Sequence, residues 1–342
     1  REAEGRDRVC GGFLGSEVQA LWPLLGLSEE AKALPGTPVR TLLLSSPGTR
    51  CIETVLPGGS GTAVHRADFD RWLCGQAVAA GAVFRAKTSA AQMRRDGGRW
   101  NVDLTGNKTA EQVSVRAVIR AHGRRQITAP LSGRTGIFFG CKTVYENCRG
   151  LERRVALHFA RGAHVGFDAL GDGRATMCLY TDHARMDAAG GDLDRMMDGL
   201  ASENPHVGEH LRFAKRAAGW TGCQAQPDNR EVFYEGGAFR AGDAVTMVNP
   251  IIGGGIPIAM GSSILLAQLL TEGFAANRGE GAIAADYARR WRKQLRKRLR
   301  YGRWLGQCER SEFATYLVLR LAGAHSFVRD RLVRYSRPAL AT

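Results

Sequence analysis

The stretch Arg240–Leu270, RAGDAVTMVNPIIGGGIPIAMGSSILLAQLL, decides how the rest of the chain is read. After Asp243 no charged residue occurs until Glu272. The order is a strand end, a Gly242-Asp243 pair, an apolar connector, Pro250, and the run Gly253-Gly254-Gly255 opening an uncharged helix. Glycine takes positive φ and lets the backbone approach a ligand closely. A helix starting just after such a run offers free N–H groups and a positive dipole end to an anionic group. The uncharged run is also long enough for a membrane span. Asn249, Pro250, the three glycines and Pro257 would break a spanning helix, so a buried, ligand-facing strand–loop–helix is the better reading.

The chain has 342 residues, enough for one large or two ordinary domains. Its 44% hydrophobic and 24% charged content is that of a soluble globular protein. The charged N-terminal REAEGRDR carries no apolar run of a secretory signal. Eight cysteines are scattered without a CxxC pair, which points to reduced cytoplasmic thiols and away from a disulfide frame or a zinc site. A net charge of +15 favours anionic partners such as nucleic acid, acidic lipid headgroups or dinucleotide phosphates.

Working outward, Val9-Cys10-Gly11-Gly12 precedes a helix from about Ser16, which could cap it, with Val18, Leu21, Trp22 and Leu25 on the apolar face. Residues 35–60 read as a hairpin around Pro47-Gly48-Thr49. Val64-His65-Arg66 leads into a helix through Ala80. An arginine at a helix start is unfavourable to the dipole, which suits an anion nearby. Strands at about 83–93, 99–105 and 113–120 form a meander that ends at His122-Gly123-Arg124-Arg125. Further short strands are expected at about 136–144, 153–160 and 174–181, with Gly-rich turns over 162–173 and a helix near 191–202. His206-Val-Gly-Glu209-His210 matches a zinc-protease pattern, but no third ligand follows, and an exposed helix start after Pro205 is the simpler account, with no metal. No Gly-x-Ser-x-Gly elbow, Walker loop or Gly-x-Gly-x-x-Gly occurs.

Four of these segments, taken in order, resemble the FAD-dependent oxidoreductases of the geranylgeranyl reductase and aromatic hydroxylase type. They are Arg8-Val-Cys10-Gly11-Gly12, Val64-x-Arg66-x-x-Phe69-Asp70, the meander end at His122-Gly123, and Gly242-Asp243 followed by Pro250-x-x-Gly253-Gly254-Gly255-Ile256. The resemblance implies an α/β fold: a Rossmann-like FAD-binding domain interleaved with an antiparallel substrate sheet, plus C-terminal helices. It implies FAD-binding segments at 1–34, 61–130 and 229–280, a substrate sheet at 35–60 and 131–228, and a helical tail at 281–342. The first βα unit of such a domain, with its Gly-x-Gly-x-x-Gly, is expected upstream of these residues, and the C-terminus matches where relatives end. Asp243 is implied to meet the ribityl chain, and the loop from Pro250 through Gly253, Gly254, Gly255 and Ile256 to lie along the flavin ring. Gly11 and Gly12 are implied to let the backbone approach the flavin, Arg66 to neutralise a phosphate, and Cys10 to lie on the substrate side. His122 stands where the hydroxylase branch carries Asp. That departure weakens the case for direct NAD(P)H handling and leans toward a reductase. No general acid is evident.

In the tail, Ile283, Tyr287, Trp291, Leu295 and Leu299 form an i, i+4 stripe, and Arg289–Arg303 holds nine basic residues and no acidic one. The plain expectation is a helix packed by its stripe with a solvated basic face. Peripheral association of 289–303 with an acidic membrane is the functional alternative. Specific nucleic-acid binding has no accompanying module. The expected activity is hydride transfer from reduced flavin to an apolar substrate, a prenyl- or polyketide-like double bond. The alternatives are a monooxygenase using NADPH and oxygen, or a flavin-dead basic membrane-binding protein.

Overall fold

The computed structural model describes residues 7–106, 109–123, 138–225 and 230–336. Arg124 and Arg125 of the third segment lie outside the described residues. The chain begins with β1 (Phe13–Leu14), α1 (Ser16–Gln19), β2 (Thr37–Val39), β3 (Thr41–Ser45), β4 (Ile52–Val55), β5 (Gly61–Ala63) and α2 (Arg66–Ala79). A meander follows, β6 (Ser89–Asp96), β7 (Arg99–Gly106) and β8 (Thr109–Val115), then β9 (Val118–Arg120). Next come β10 (Phe138–Glu146), β11 (Arg154–Ala160), β12 (Ala163–Gly171) and β13 (Arg174–Asp182). After them run α3 (His183–Ala188), α4 (Leu193–Glu203), α5 (Pro205–Leu211), β14 (Lys215–Arg216) and β15 (Thr221–Ala225). The last part holds β16 (Tyr234–Glu235), β17 (Ala238–Arg240), α6 (Gly255–Ala275), α7 (Glu280–Glu309), α8 (Glu312–Ala324) and α9 (Ser326–Ser336).

The fold is α/β. An eight-stranded sheet runs β14-β10-β13-β12-β11-β3-β4, with β15 also on β10. It is antiparallel except where β11 meets β3. The β3–β4 hairpin therefore extends the same sheet as β10–β13. One face packs on α4 and α5 through Met196, Met197, Leu200 and Val207. A small sheet, β16-β17-β9, contains the second parallel pair, with Arg240 beside Arg120. The meander β6-β7-β8 forms a sheet of its own.

Three sequence expectations need correction. The glycine-rich stretch 162–173 is mostly strand: β12 pairs with both β11 and β13, and Gly166 sits in mid-strand. The expected strand 113–120 breaks after Val115, because β8 belongs to the meander and β9 to the parallel pair. Ser16 does not cap α1; its hydroxyl donates to the Pro57 carbonyl at 2.6 Å.

The tail stripe is borne out. Ile283, Tyr287, Trp291 and Leu295 are buried in the main core with Leu265, Leu266 and Leu269 of α6. Burial of each such side chain contributes roughly 1.5–3 kcal/mol. This packing accounts for the apolar character of α6, which by length and composition could cross a membrane and has half of its most apolar window, 50%, buried inside the protein. At the start of α7, Glu280 accepts from Arg95 and Trp100 at 3.0 Å and from the Tyr234 hydroxyl at 2.5 Å. A carboxylate suits this helix end because the dipole is positive there.

Candidate functional site

The site is built where the Asp7–Gly12 segment crosses the face of the large sheet that looks away from α4 and α5. Asp7 accepts from the buried Lys142 ammonium of β10 at 2.6 Å. Val9 packs against Gly140 of the same strand. A side chain at Gly11 would collide with the Asp168 carboxylate of β12. In cross-strand register, Lys142 neighbours Cys178. Burial, together with nearby Cys10 and Asp168, pushes the Cys178 thiol well up and keeps it protonated.

Cys10 stands at the edge of this charged row. On its other side lies an apolar cluster of Leu14, Val18, Val64 and Phe69 with Ile256 and Met260 from the first turns of α6. Arg66, at the start of α2, reaches Asp70 through Nε at 2.7 Å and lies against Cys10. Burial works against its charge, but Cys10 and Asp70 outweigh it and raise its pKa. The structure thus places Arg66 beside Cys10, and Cys10 against the cluster that contains Ile256. The two glycines after Cys10 are explained by the protein itself: Gly12 has φ +87 and a side chain there would strike the Val64 carbonyl, while Gly11 leaves room for Asp168.

The long glycine loop forms a separate edge. Gly242 takes φ +62, donates its N–H to Ser262 Oγ at 2.9 Å, and packs on Ala259, which pins the Gly-Asp turn to α6. Asp243 is exposed. Asn249 accepts from the Ile251 N–H at 3.0 Å and Gly253 has φ +55, so Asn249–Gly253 is a tight turn and Pro250 sits exposed at its start. The start of α6 has no side-chain cap and no acidic residue in its first turn. A side chain at Gly255 would meet nothing, whereas one at Gly254 would strike Arg298.

β9 and β17 are parallel and in register, so His122 and Gly242-Asp243 leave the same carboxyl edge. Open α/β sheets bind ligands at such edges. Both ring nitrogens of His122 are buried, without a hydrogen-bond partner among the described residues. An orphaned imidazole, an uncapped helix start and an open glycine side chain position fit a polar, partly anionic cofactor.

The His-x-x-Glu-His match resolves differently from a simple exposed helix start. Asn204 caps α5 by accepting from the His206 N–H at 3.2 Å, but His210 is buried. His210 Nδ1 donates to the Arg149 carbonyl at 2.7 Å, so its Nε2 accepts from His158 Nε2 at 3.0 Å. His158 Nδ1 then accepts from the Ser45 hydroxyl at 2.7 Å, and Asn204 donates to Ser45 at 3.0 Å. This closed chain uses every polar atom it contains. Among the described residues no group of three or more His, Cys, Asp or Glu is placed to hold a metal.

Lys142, Asp168 and the Arg298–Glu17 pair were not visible as site residues from the sequence. The one available signal was a charged residue at an inward position of Phe138–Tyr145, where alternate residues are Phe138, Gly140 and Val144.

No known family profile matches the chain. It is 24% identical over 263 residues to a digeranylgeranylglycerophospholipid reductase of Methanocaldococcus jannaschii, covering 74% of this chain and 66% of that protein. A second reductase of that name, from Methanothermobacter thermautotrophicus, is 24% identical over 279 residues, covering 77% and 69%. The fold of a geranylgeranyl bacteriochlorophyll reductase-like protein from Thermoplasma acidophilum superposes with a TM-score of 0.77 at 15% identity, covering 97% of this chain and 87% of that one. The chain is thus similar in sequence to digeranylgeranylglycerophospholipid reductases and shares the fold of the geranylgeranyl reductase-like protein, in line with the resemblance its motifs carry. A flavin-dependent brominase shares the fold with a TM-score of 0.80 at 14% identity, covering 99% of this chain and 88% of that one, so the same architecture also carries a different chemistry. The chain spans 66% and 64% of the length of the first two curated relatives.

Proposed function

We propose that the chain is an FAD-dependent oxidoreductase that reduces a double bond in an apolar, prenyl-like substrate. The observation that carries the reading is that Cys10 packs against the apolar cluster to which Ile256 and Met260 of the open start of α6 belong. Asp243 would hold the ribityl chain, and the Gly253–Ile256 backbone would lie along the ring. When bound and reduced, FAD supplies a hydride equivalent. The chain's own residues handle the proton and the water. Cys10 would supply the proton that completes the reduction, and Arg66 lies where it would hydrogen-bond the thiolate left behind. Leu14, Val64, Ile256 and Met260 exclude water on one side. Lys142, fixed by Asp7, holds positive charge on the other. The names of the reductase relatives support an isoprenoid substrate. NAD(P)H is one candidate electron donor.

The test adds FAD to the purified protein, reduces it without oxygen, and supplies a geranylgeranyl lipid. Flavin reoxidation with loss of a double bond is expected. Asp243→Ala should release FAD, while Cys10→Ala should retain FAD and lose turnover. NADPH consumption that requires oxygen would move the assignment to a monooxygenase. Failure of the unaltered protein to take up FAD would overturn the redox reading.

A further inference from the structure

The C-terminal helices carry a surface that the redox reading does not use. α8 buries Leu319 and Ala322 against the core. Its opposite face presents Phe313, Leu317 and Leu321 at i, i+4 spacing, 73%, 43% and 43% exposed. A helix on a protein surface ordinarily turns polar residues outward. α9 continues the pattern with Phe327 and Tyr335, 69% and 45% exposed. Arg331 lies between them, its guanidinium 5.6 Å from the Phe327 ring and 5.0 Å from the Tyr335 ring. Tyr335 is 5.8 Å from Tyr301 of α7, which stacks at 5.5 Å on Trp304, itself 44% exposed. The aromatic run is therefore continuous from α9 onto the end of α7.

The basic stretch of α7 divides in two. Arg289 and Arg290 are tied to Asp286, and Arg292 to Glu231. Lys293, Arg296, Lys297, Arg300 and Arg303 are exposed and have no acidic partner among the described residues. Arg298 points inward to Glu17. Free positive charge thus gathers at the end of α7 that carries Trp304.

We infer that α8, α9 and the last turns of α7 form a face that seats on an anionic lipid bilayer. Exposed Phe, Leu, Trp and Tyr enter the acyl boundary, and the adjoining Lys and Arg meet acidic headgroups. A bilayer accepts scattered apolar side chains flanked by positive charge without a matching shape. Nucleic acid would use the charge and leave the Phe313–Leu317–Leu321 stripe in water. The inference stands apart from the redox assignment, and it moves the lipid contact from 289–303 alone to the three-helix face.

The test is flotation of the full chain with phosphatidylcholine vesicles, with and without phosphatidylglycerol. The protein should float with the anionic vesicles only, and added salt should weaken binding. Replacing Lys297, Arg300 and Arg303 by Gln should lower partition roughly 100-fold, at about tenfold per 1.4 kcal/mol and ~1 kcal/mol per charge. Phe313→Ser with Leu317→Ser should remove binding, with an unchanged melting curve because both side chains are exposed. No flotation of the unaltered protein, or flotation that survives both sets of changes, would overturn the inference. So would sedimentation showing that the serine changes only split a dimer.

Discussion

The guanidinium of Arg298 fills the space that a side chain at Gly254 would need, and its Nη2 pairs with Glu17 Oε1 at 3.1 Å. One buried charge therefore joins α7, α1 and the loop that opens α6. Burial opposes the charge on Arg298 and pulls its pKa down against the attraction of Glu17. Such a pair is costly to break from one side, because the surviving charge stays buried. Arg298→Met should destabilise the protein by about 3–5 kcal/mol in urea unfolding. Adding Glu17→Gln should recover much of that loss. A single variant as stable as the parent would show that the pair is not structural.

Gly12 and Gly255 make opposite predictions. At Gly12, φ +87 and the Val64 carbonyl leave no room for a methyl group, so Gly12→Ala should lower the melting temperature by several degrees through backbone displacement. At Gly255 a methyl group meets nothing and the residue opens a helix, so Gly255→Ala should leave stability unchanged or slightly raised. If the α6 start faces the flavin, the same change weakens FAD retention. Equal FAD affinity in Gly255→Ala and the parent would remove that loop from the cofactor contact.

The closed chain through Ser45, His158 and His210 sets a pH dependence. Burial, with the neighbouring histidines, pulls the His158 pKa down to about 3, and burial lowers His210 as well. The unfolded chain takes up these protons near pH 6.5 while the folded chain does not. Stability is therefore full above about pH 6.5 and is lost as pH falls toward 3. His158 alone should cost about 2 kcal/mol between pH 7 and pH 5. Unfolding free energies measured across that range should show the slope, and His158→Gln should flatten it. A parent profile that is already flat would disprove the neutral pair.

What could be read from the sequence was local. The Gly-Asp pair, the glycine loop and the start of α6 lie within one stretch, and their chemistry is written in residue order. The α7 stripe was legible for the same reason, because Ile283, Tyr287, Trp291 and Leu295 report one helix face. β12 was hidden because glycine content suggests turns, while pairing on both sides keeps the strand extended. The link from Asp7 to Lys142 spans 135 residues and depends on how a loop crosses a sheet. The His158–His210 bond depends in the same way on a helix docking onto a strand. No periodicity in a single segment encodes either contact.

Helix α7 has 30 residues and a length of about 45 Å at 1.5 Å per residue. Glu280 holds the meander at one end, Arg298 reaches Glu17 along the way, and Glu309 meets the buried His164 at the other end. These partners lie far apart in the chain and read one rigid helical phase. One residue inserted midway would rotate everything downstream by about 100° and advance it by about 1.5 Å, turning Arg298 and Glu309 away from their partners together. The helix works as a fixed gauge: its composition can drift on the outer face, but its residue count between Glu280 and Glu309 cannot change without parting one end from its partners.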